Sequence, residues 1–342
     1  MKAYYYVGLD VHKKSVSVCV KEADGRIVQE RALPARRRDL VAWAQSLKQP
    51  WRGAMEATLF SGWIYDVLVP HAHSLTVGHS YMIRAIAASK RKNDAIDART
   101  LADLLRCDLF PACYMPPEII RELRRVLRYR TLMVREATRM KNKTAGLLME
   151  VGAEYSKPRL HGKRYFAGLL EELEDVPDSV RDLLRLSHGS ARLFESLQKR
   201  LIKRLQHHPQ IQQRVERLMS IDGVGVITAL TWALEIGEPG RFATVKRAVS
   251  YCGLCSAQIE SAGKNKRGPL SKQRNKHLQR VLIEAAKLAP QYNRQLKHVY
   301  ERERERGANH NRATLALARK LVAYLLAMDK QEGGEFTYRD AA

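Results

Sequence analysis

Residues 4–33 read YYYVGLDVHKKSVSVCVKEADGRIVQERAL, and this stretch decides how the chain begins to fold. The run YYYVGLD is apolar and ends on an acid, Asp10. SVSVCV (15–20) alternates with a period of two, as a strand with one buried face does. Ala23, Asp24 and Gly25 supply a turn, and RIVQERAL follows as a third strand. Three successive strands with short connections predict an antiparallel meander.

Working outward, 38–47 predicts a helix with Leu40, Val41, Trp43, Ala44 and Leu47 on one side. GAMEAT (53–58) is a short apolar run with one acid inside it, 59–69 reads as a helix, and LTVGH (75–79) reads as a strand. Strands alternating with helices after a meander predict an α/β layer on a mixed sheet. From Asp94 the strand signals stop. A helix is predicted over 95–106, then a break at Pro111, Pro116 and Pro117, then a long charged helix over 118–151. A second long helix, 190–207, carries Leu193, Leu197, Leu201 and Leu205 at four-residue spacing. The pair predicts an antiparallel coiled-coil or helical hairpin, with 169–186 as a further helix between them.

Beyond His207, helices are expected over 211–221 and 228–236 around Gly223-Val224-Gly225. Helix, GxG, helix is a helix-hairpin-helix pattern whose glycines let backbone N–H groups approach a phosphate. A tight turn is the plainer reading of the same glycines. Further helices are expected over 241–251, 271–288 and 308–328, with a Gly-, Ser- and Lys-rich loop over 252–270. The expected organisation is α/β plus all-α: a mixed-sheet domain over 1–115, a helical coiled-coil region over 116–209, a helical domain over 210–330 and a tail over 331–342.

The 342 residues carry 60 Lys and Arg against 36 Asp and Glu, a net charge of +24. Such an excess calls for a polyanionic partner, and nucleic acid is the leading one because Lys and Arg neutralise phosphates and release counterions. A hydrophobic fraction of 45% excludes a disordered basic tail. No run approaches the ~18 apolar residues of a membrane helix, and the first residues lack a secretory pattern. Five cysteines are too few and odd in number for a disulfide scaffold, so a cytoplasmic setting is expected.

Four acids stand out. Asp10 ends the first strand and Glu56 lies inside the apolar run GAMEAT, where a lone carboxylate is costly unless paired or metal-bound. Asp94 and Asp97 are three apart at a helix start and share a face. Carboxylate oxygens gathered from two strands and a helix suit Mg²⁺, and a pair of ions about 4 Å apart serves phosphoryl transfer. Helix capping by Asp94 with Asp97 is the competing explanation for that pair.

The sets LDVHK around Asp10, MEAT around Glu56 and KNDAIDARTLADLL around Asp94 and Asp97 resemble the N-terminal domain of the DEDD transposases of bacterial insertion sequences, the bridge-RNA-guided recombinases. The resemblance continues in IDGVGVITA, RFATVKRAVSYCGL and ESAGKNKRGPLSKQRNKHLQRVLIEAA, and leaves out roughly 115–210. It implies a RuvC-like, RNase H-type fold for the first domain, with Asp10, Glu56, Asp94 and Asp97 as the family's four metal-binding acids. It also implies a serine nucleophile in an E-S-G stretch of the C-terminal domain, donor and target DNA, a bridge RNA and a dimer or tetramer.

The matching serine is Ser261, between Glu260 and Ala262-Gly263, with Ala262 inserted before the glycine. Lys264, Lys266, Arg267 and Lys272 follow and would hold phosphate charge. Ser256 and Ser271 are rivals, and Ser271 reads as the N-cap of the next helix. The acids and the serine fall on different domains, which implies a composite site. The single pair Cys252–Cys255 has no partner pair and reads as core packing. Trp43, Trp51, Trp63 and Trp232 read as core. His71, His73 and His79 read as ordinary histidines, whereas His12 lies two residues from Asp10, close enough to touch the site. The alternation of Arg302, Arg304 and Arg306 with Glu301, Glu303 and Glu305 reads as a solvated helix. Two other functions fit the same residues: a RuvC-like nuclease that uses water as nucleophile, and a nucleic-acid-binding protein without catalysis.

Overall fold

A computed structural model describes residues 4–87, 93–174, 176–261 and 264–331. The chain divides into two compact units, one up to Glu118 and one from Ile119.

The first unit is a mixed six-stranded sheet with helices packed on its faces. Its elements are β1 (Tyr5–Val11), β2 (Ser15–Lys21), β3 (Ile27–Pro34), α1 (Arg37–Ser46), β4 (Trp51–Glu56), α2 (Ser61–Leu68), β5 (Ser74–Gly78), α3 (Ser80–Ile86), α4 (Asp94–Arg106) and β6 (Ala112–Cys113). The strand order is β3-β2-β1-β4-β5-β6. The meander β1–β2–β3 is antiparallel, β4 and β5 extend it in parallel with β1, and β6 returns antiparallel. This arrangement is consistent with a RuvC-like fold. α3, between β5 and α4, is not among the helices read from the sequence.

Strand alternation sorts the two faces. Tyr5, Val7, Leu9 and Val11 join Trp43, Trp51, Met55 and Ile64 in a core beneath α1 and α2. The intervening residues Gly8 and Asp10 face the other way, toward α4, where Cys19, Ala98 and Ala102 form a thin seam. The absence of a side chain at Gly8 lets the α4 backbone lie directly on β1. Two ion pairs fix α4 laterally: Lys21 to Asp103 at 2.5 Å, and the fork of Arg99 to both oxygens of Glu30.

The second unit begins in the first turn of α5 (Glu118–Glu150). It continues through α6 (Lys163–Glu172), α7 (Asp178–Gln206), α8 (Gln212–Met219), α9 (Val226–Ile236), α10 (Val245–Tyr251), β7 (Ser256–Ser261), β8 (Lys264–Leu270), α11 (Lys276–Tyr292), α12 (Arg294–Glu305) and α13 (His310–Lys330). α5 and α7 run side by side in opposite senses. Leu123 and Leu127 cluster with Leu205 at one end, Leu148 with Leu184 at the other, and Lys141 pairs with Glu195 between them. The helix expected over 169–186 is instead split. α6 ends at Glu172, and α7 starts immediately after Pro177, whose ring fixes φ and offers no N–H to continue a helix. Leu123, Leu127 and Leu205 share one core with α8–α13, so packing bridges the expected boundary at 209/210.

α9 is buried nearly all round, with Glu235 its one charged residue, and lies at the centre of this core with Trp232 fully buried. The Trp232 Nε1 donates to Asp329, which also accepts two bonds from Arg214. The segment expected as a loop over 252–270 contains an antiparallel hairpin, β7–β8. Among the described residues no helix is long and apolar enough to cross a membrane.

Candidate active site

The parallel register pairs Gly8 with Ala54 and Leu9 with Met55, so Asp10 and Glu56 each follow one residue later on neighbouring strands. Both belong to the α4 face, because Leu9 and Met55 point into the opposite core. The N-terminus of α4 comes to this edge. Its cap is Asn93, whose side chain accepts from the Ile96 amide at 2.8 Å while the Asp97 amide donates to the Asn93 carbonyl. This corrects the capping explanation for Asp94: the cap lies one residue earlier, and Asp94 opens the helix as its first residue. The Asp94 carboxylate is exposed.

The donors of Asp10, His12 and Asp94 all lie within 4.8 Å of one another. His12 Nε2 is 3.0 Å from Asp10 Oδ2 and 3.4 Å from Asp94 Oδ1. The Asp10 carboxyl is mostly buried, and burial raises its pKa above the usual aspartate value. His12 acts in the opposite direction through charge and a hydrogen bond, while Asp97 and Asp94 add to the rise. Negative groups are thus concentrated at one corner of the sheet. Half-buried Glu56 lies on the same face but outside the group of converging donors. The donor set of hard carboxylate oxygens with one imidazole suits a divalent metal ion, whose charge would offset the burial and the repulsion that raise Asp10.

The predicted nucleophile falls on the hairpin. The backbone of Ser261 pairs with Lys264 at its end, and Glu260 pairs with Asn265. The side chains of Ser261, Lys264, Lys266 and Arg267 lie outside the described residues. The root of the hairpin is fixed to the helical core: Ser271 N donates to Cys255 O, and Arg319 Nε donates to Leu254 O. Lys272 is exposed just beyond it, and the rival Ser256 is exposed at its root. Ser271 does not cap α11. Its hydroxyl accepts from the Gln273 amide in a preceding turn, and Asn275 caps the helix by accepting from His277 N and Leu278 N. Cys252 is buried in the core, and burial pushes its thiol pKa far up, so the thiolate needed for metal or redox work is disfavoured.

Gly223 has φ +90° in the turn between α8 and α9, a conformation that favours glycine, and its Cα side abuts Ala289 of α11. Gly225 is the N-cap of α9, with open space around the position of a Cβ. Both glycines line a basic cleft with α5 and α11, a feature with no sequence signal because α5 and α11 lie far apart in the chain.

Comparison with known proteins adds two family models. The DEDD transposase model of IS110 matches residues 7–152, and a second, "Transposase IS116/IS110/IS902 family", matches residues 215–301. The transposase for insertion sequence element IS1328 of Yersinia enterocolitica is 25% identical, covering 82% of this chain and 83% of the relative. The transposase for insertion sequence element IS1111A of Coxiella burnetii is 25% identical, covering 100% of this chain and 93% of the relative. A probable family 20 transposase of Pseudomonas aeruginosa is 26% identical, covering 57% of this chain and 59% of the relative.

Proposed function

Starting from a chain that belongs to the IS110 family of insertion-sequence transposases, we propose that it cuts and rejoins DNA by Mg²⁺-dependent transesterification through a phosphoserine at Ser261, guided by a bridge RNA. The reading rests chiefly on one observation, the convergence of Asp10, His12 and Asp94 at the corner where Asp97 and Glu56 also lie. Asp10, Asp94, Asp97 and Glu56 would hold the metal. Bound there, Mg²⁺ supplies Lewis-acid stabilisation of charge on a phosphate. The His12 imidazole, in contact with two of the carboxylates, orients them and limits their mutual repulsion.

The Ser261 Oγ forms a bond to phosphorus as a P–O bond to one strand breaks. The serine proton passes to solvent or base, and the departing strand keeps the oxygen as a hydroxyl. A strand hydroxyl then attacks the phosphoserine, which releases Ser261 and restores the phosphodiester. No external energy is needed because the ester retains that of the original bond. Lys264, Lys266, Arg267 and Lys272 would hold phosphate charge. The +24 net charge supports binding of RNA together with DNA.

The test is incubation with labelled DNA, RNA and Mg²⁺, followed by denaturing electrophoresis. Wild type is expected to form a protein–DNA adduct that maps to Ser261, absent in Ser261→Ala and in Asp10→Asn and retained in Ser256→Ala. Nicking by Ser261→Ala without an adduct would instead establish water as nucleophile. An adduct lost only in Ser256→Ala would move the nucleophile to that residue.

A further inference from the structure

A cleft of about 780 Å³ opens in the second unit between α5, α9 and α11. α5 lines it with Arg128, Arg130 and Arg135, and α11 with Lys276 and Arg280. Leu288 and Tyr292, farther along α11, line it as well and are 54% and 66% exposed. An adjoining cleft of about 540 Å³ shares Arg128, Arg135 and Lys276, adds Arg274 and contains no acid.

The acids of the larger cleft do not balance these cations. Buried Glu235 is taken up by Arg128, at 3.1 and 3.2 Å, and by the Asn275 amide at 2.9 Å. Glu284 pairs with Lys287 at 3.0 Å, and Asp222 is the third acid of the lining, against the five cations Arg128, Arg130, Arg135, Lys276 and Arg280. Arg130 has its Nε buried with no hydrogen-bond partner. Burial and the neighbouring Arg280 both lower the pKa of its guanidinium. An arginine held partly out of water beside a second arginine is unfavourable unless an anion completes the site.

We propose that this cleft binds a short stretch of single-stranded nucleic acid, one phosphate held by Arg130 and Arg280 and a base farther along the strand lying against Leu288 and Tyr292, two to three turns on along α11. The combination of a guanidinium cluster with exposed aromatic and aliphatic surface matches the phosphates and the bases of a single strand. The volume falls in the range that holds small ligands, roughly 300–1,000 Å³, so one or two unstacked nucleotides fit. A duplex keeps its bases stacked and cannot present one to Tyr292 without extruding it. The site depends on neither Ser261 nor the acids of the first unit, so binding alone tests it.

The experiment is fluorescence anisotropy with the full chain in EDTA, which silences any metal site. The probes are a short fluorescent oligothymidylate, an oligouridylate and a hairpin duplex of equal phosphate number. The double variant Arg130→Gln/Arg280→Gln is expected to weaken single-strand binding at least about tenfold while changing duplex binding less than about twofold. The log–log salt slope for single strands should fall by about 0.7, since the two guanidiniums hold one phosphate and each neutralised phosphate of a single strand contributes that amount. Tyr292→Ala should weaken single-strand binding several-fold without changing the slope. Removing the two mutually repelling guanidiniums leaves the free protein at least as thermally stable as wild type, which separates the effect from misfolding. Equal losses on DNA and RNA strands assign the cleft to features they share, and a loss confined to one strand type assigns it to that nucleic acid. Unchanged single-strand binding, equal loss on strand and duplex, or displacement by polyglutamate as effective as by unlabelled strand would overturn the proposal.

Discussion

Gly8 of β1 lies directly against Ala98 of α4. A Cβ at Gly8 would fall far inside van der Waals contact of the Ala98 carbonyl oxygen and 2.6 Å from the Ala102 amide nitrogen. Both obstacles are backbone and cannot swing away. Gly8→Ala therefore has to push α4 off the sheet, at a cost of about 3 kcal/mol, the upper range for overpacking. It also moves Asp94 and Asp97 away from Asp10. Gly189→Ala is the contrasting case, since nothing lies within 4 Å of its Cβ position in α7. It should stabilise by about 1 kcal/mol through helix propensity. Urea denaturation of the two variants checks the opposite signs.

The environment of Asp10 disfavours its charge in the metal-free protein, because burial and two neighbouring acids outweigh His12. Asp10→Asn is thus expected to raise the melting temperature without metal. A divalent ion should raise that of wild type, through a stabilisation of about 2.7 kcal/mol at a hundredfold excess over its dissociation constant. The variant should lose most of this response. Differential scanning fluorimetry with and without Mn²⁺ measures both effects.

His188 is stacked on Phe166 at 3.9 Å and buried at the far end of the α5–α7 pair. Desolvation, with Arg192 and Lys141, holds its pKa below the ordinary value of 6.5, against the opposing pull of Glu195 and a bond to the His161 carbonyl. His161 is lowered as well, chiefly by burial. A group depressed in the folded state binds its proton more readily when unfolded, so stability rises with pH between the folded and unfolded values. The contribution is fully present above pH 6.5 and is lost as pH falls toward the depressed value. Melting curves at pH 7.5 and 5.5 should show this loss in wild type, at no more than about 1.4 kcal/mol per pH unit, and a smaller loss in His188→Gln.

Asp329 closes a buried junction between α8, α9 and α13. Its side chain is 1% exposed and accepts from Arg214 at 2.6 and 2.7 Å and from Trp232 at 2.9 Å. Asp329→Ala strands the arginine and the indole N–H, so a loss of about 3–5 kcal/mol is expected. Chemical denaturation should show a greatly lowered midpoint, while Glu301→Ala, an exposed pair partner on α12, stays within about 0.5 kcal/mol of wild type.

The meander is legible in the sequence because SVSVCV alternates cleanly and Gly25 marks its turn. The position of α4 is legible too, but its cap is not. In the string KND the acid looks like the cap, and only the fold shows Asn93 bonding Ile96. His12 stands out by its nearness to Asp10 in sequence, whereas its contact with Asp94 depends on how α4 is seated. The β7–β8 hairpin escapes a sequence reading because GKNKRGP has the composition of a loop, and its pairing stands apart from the large sheet. The cleft of Arg130 and Arg280 leaves no trace in spacing, since α5 and α11 lie far apart in the chain and only the fold brings their cations to one cleft.

The two anchored ends of the α5–α7 pair make it a ruler. At 1.5 Å per residue, Leu127 and Leu148 are held about 30 Å apart, one in the main core and the other in a separate small core with Phe166. Because each end is cemented, length is counted in residues rather than set by a flexible tether. Removing seven residues from both helices would keep every apolar face in place and draw the tip in by about 10 Å. Removing four from one helix would turn the tip core against its partner. Whatever engages the tip is therefore presented at a distance that changes in steps of whole turns.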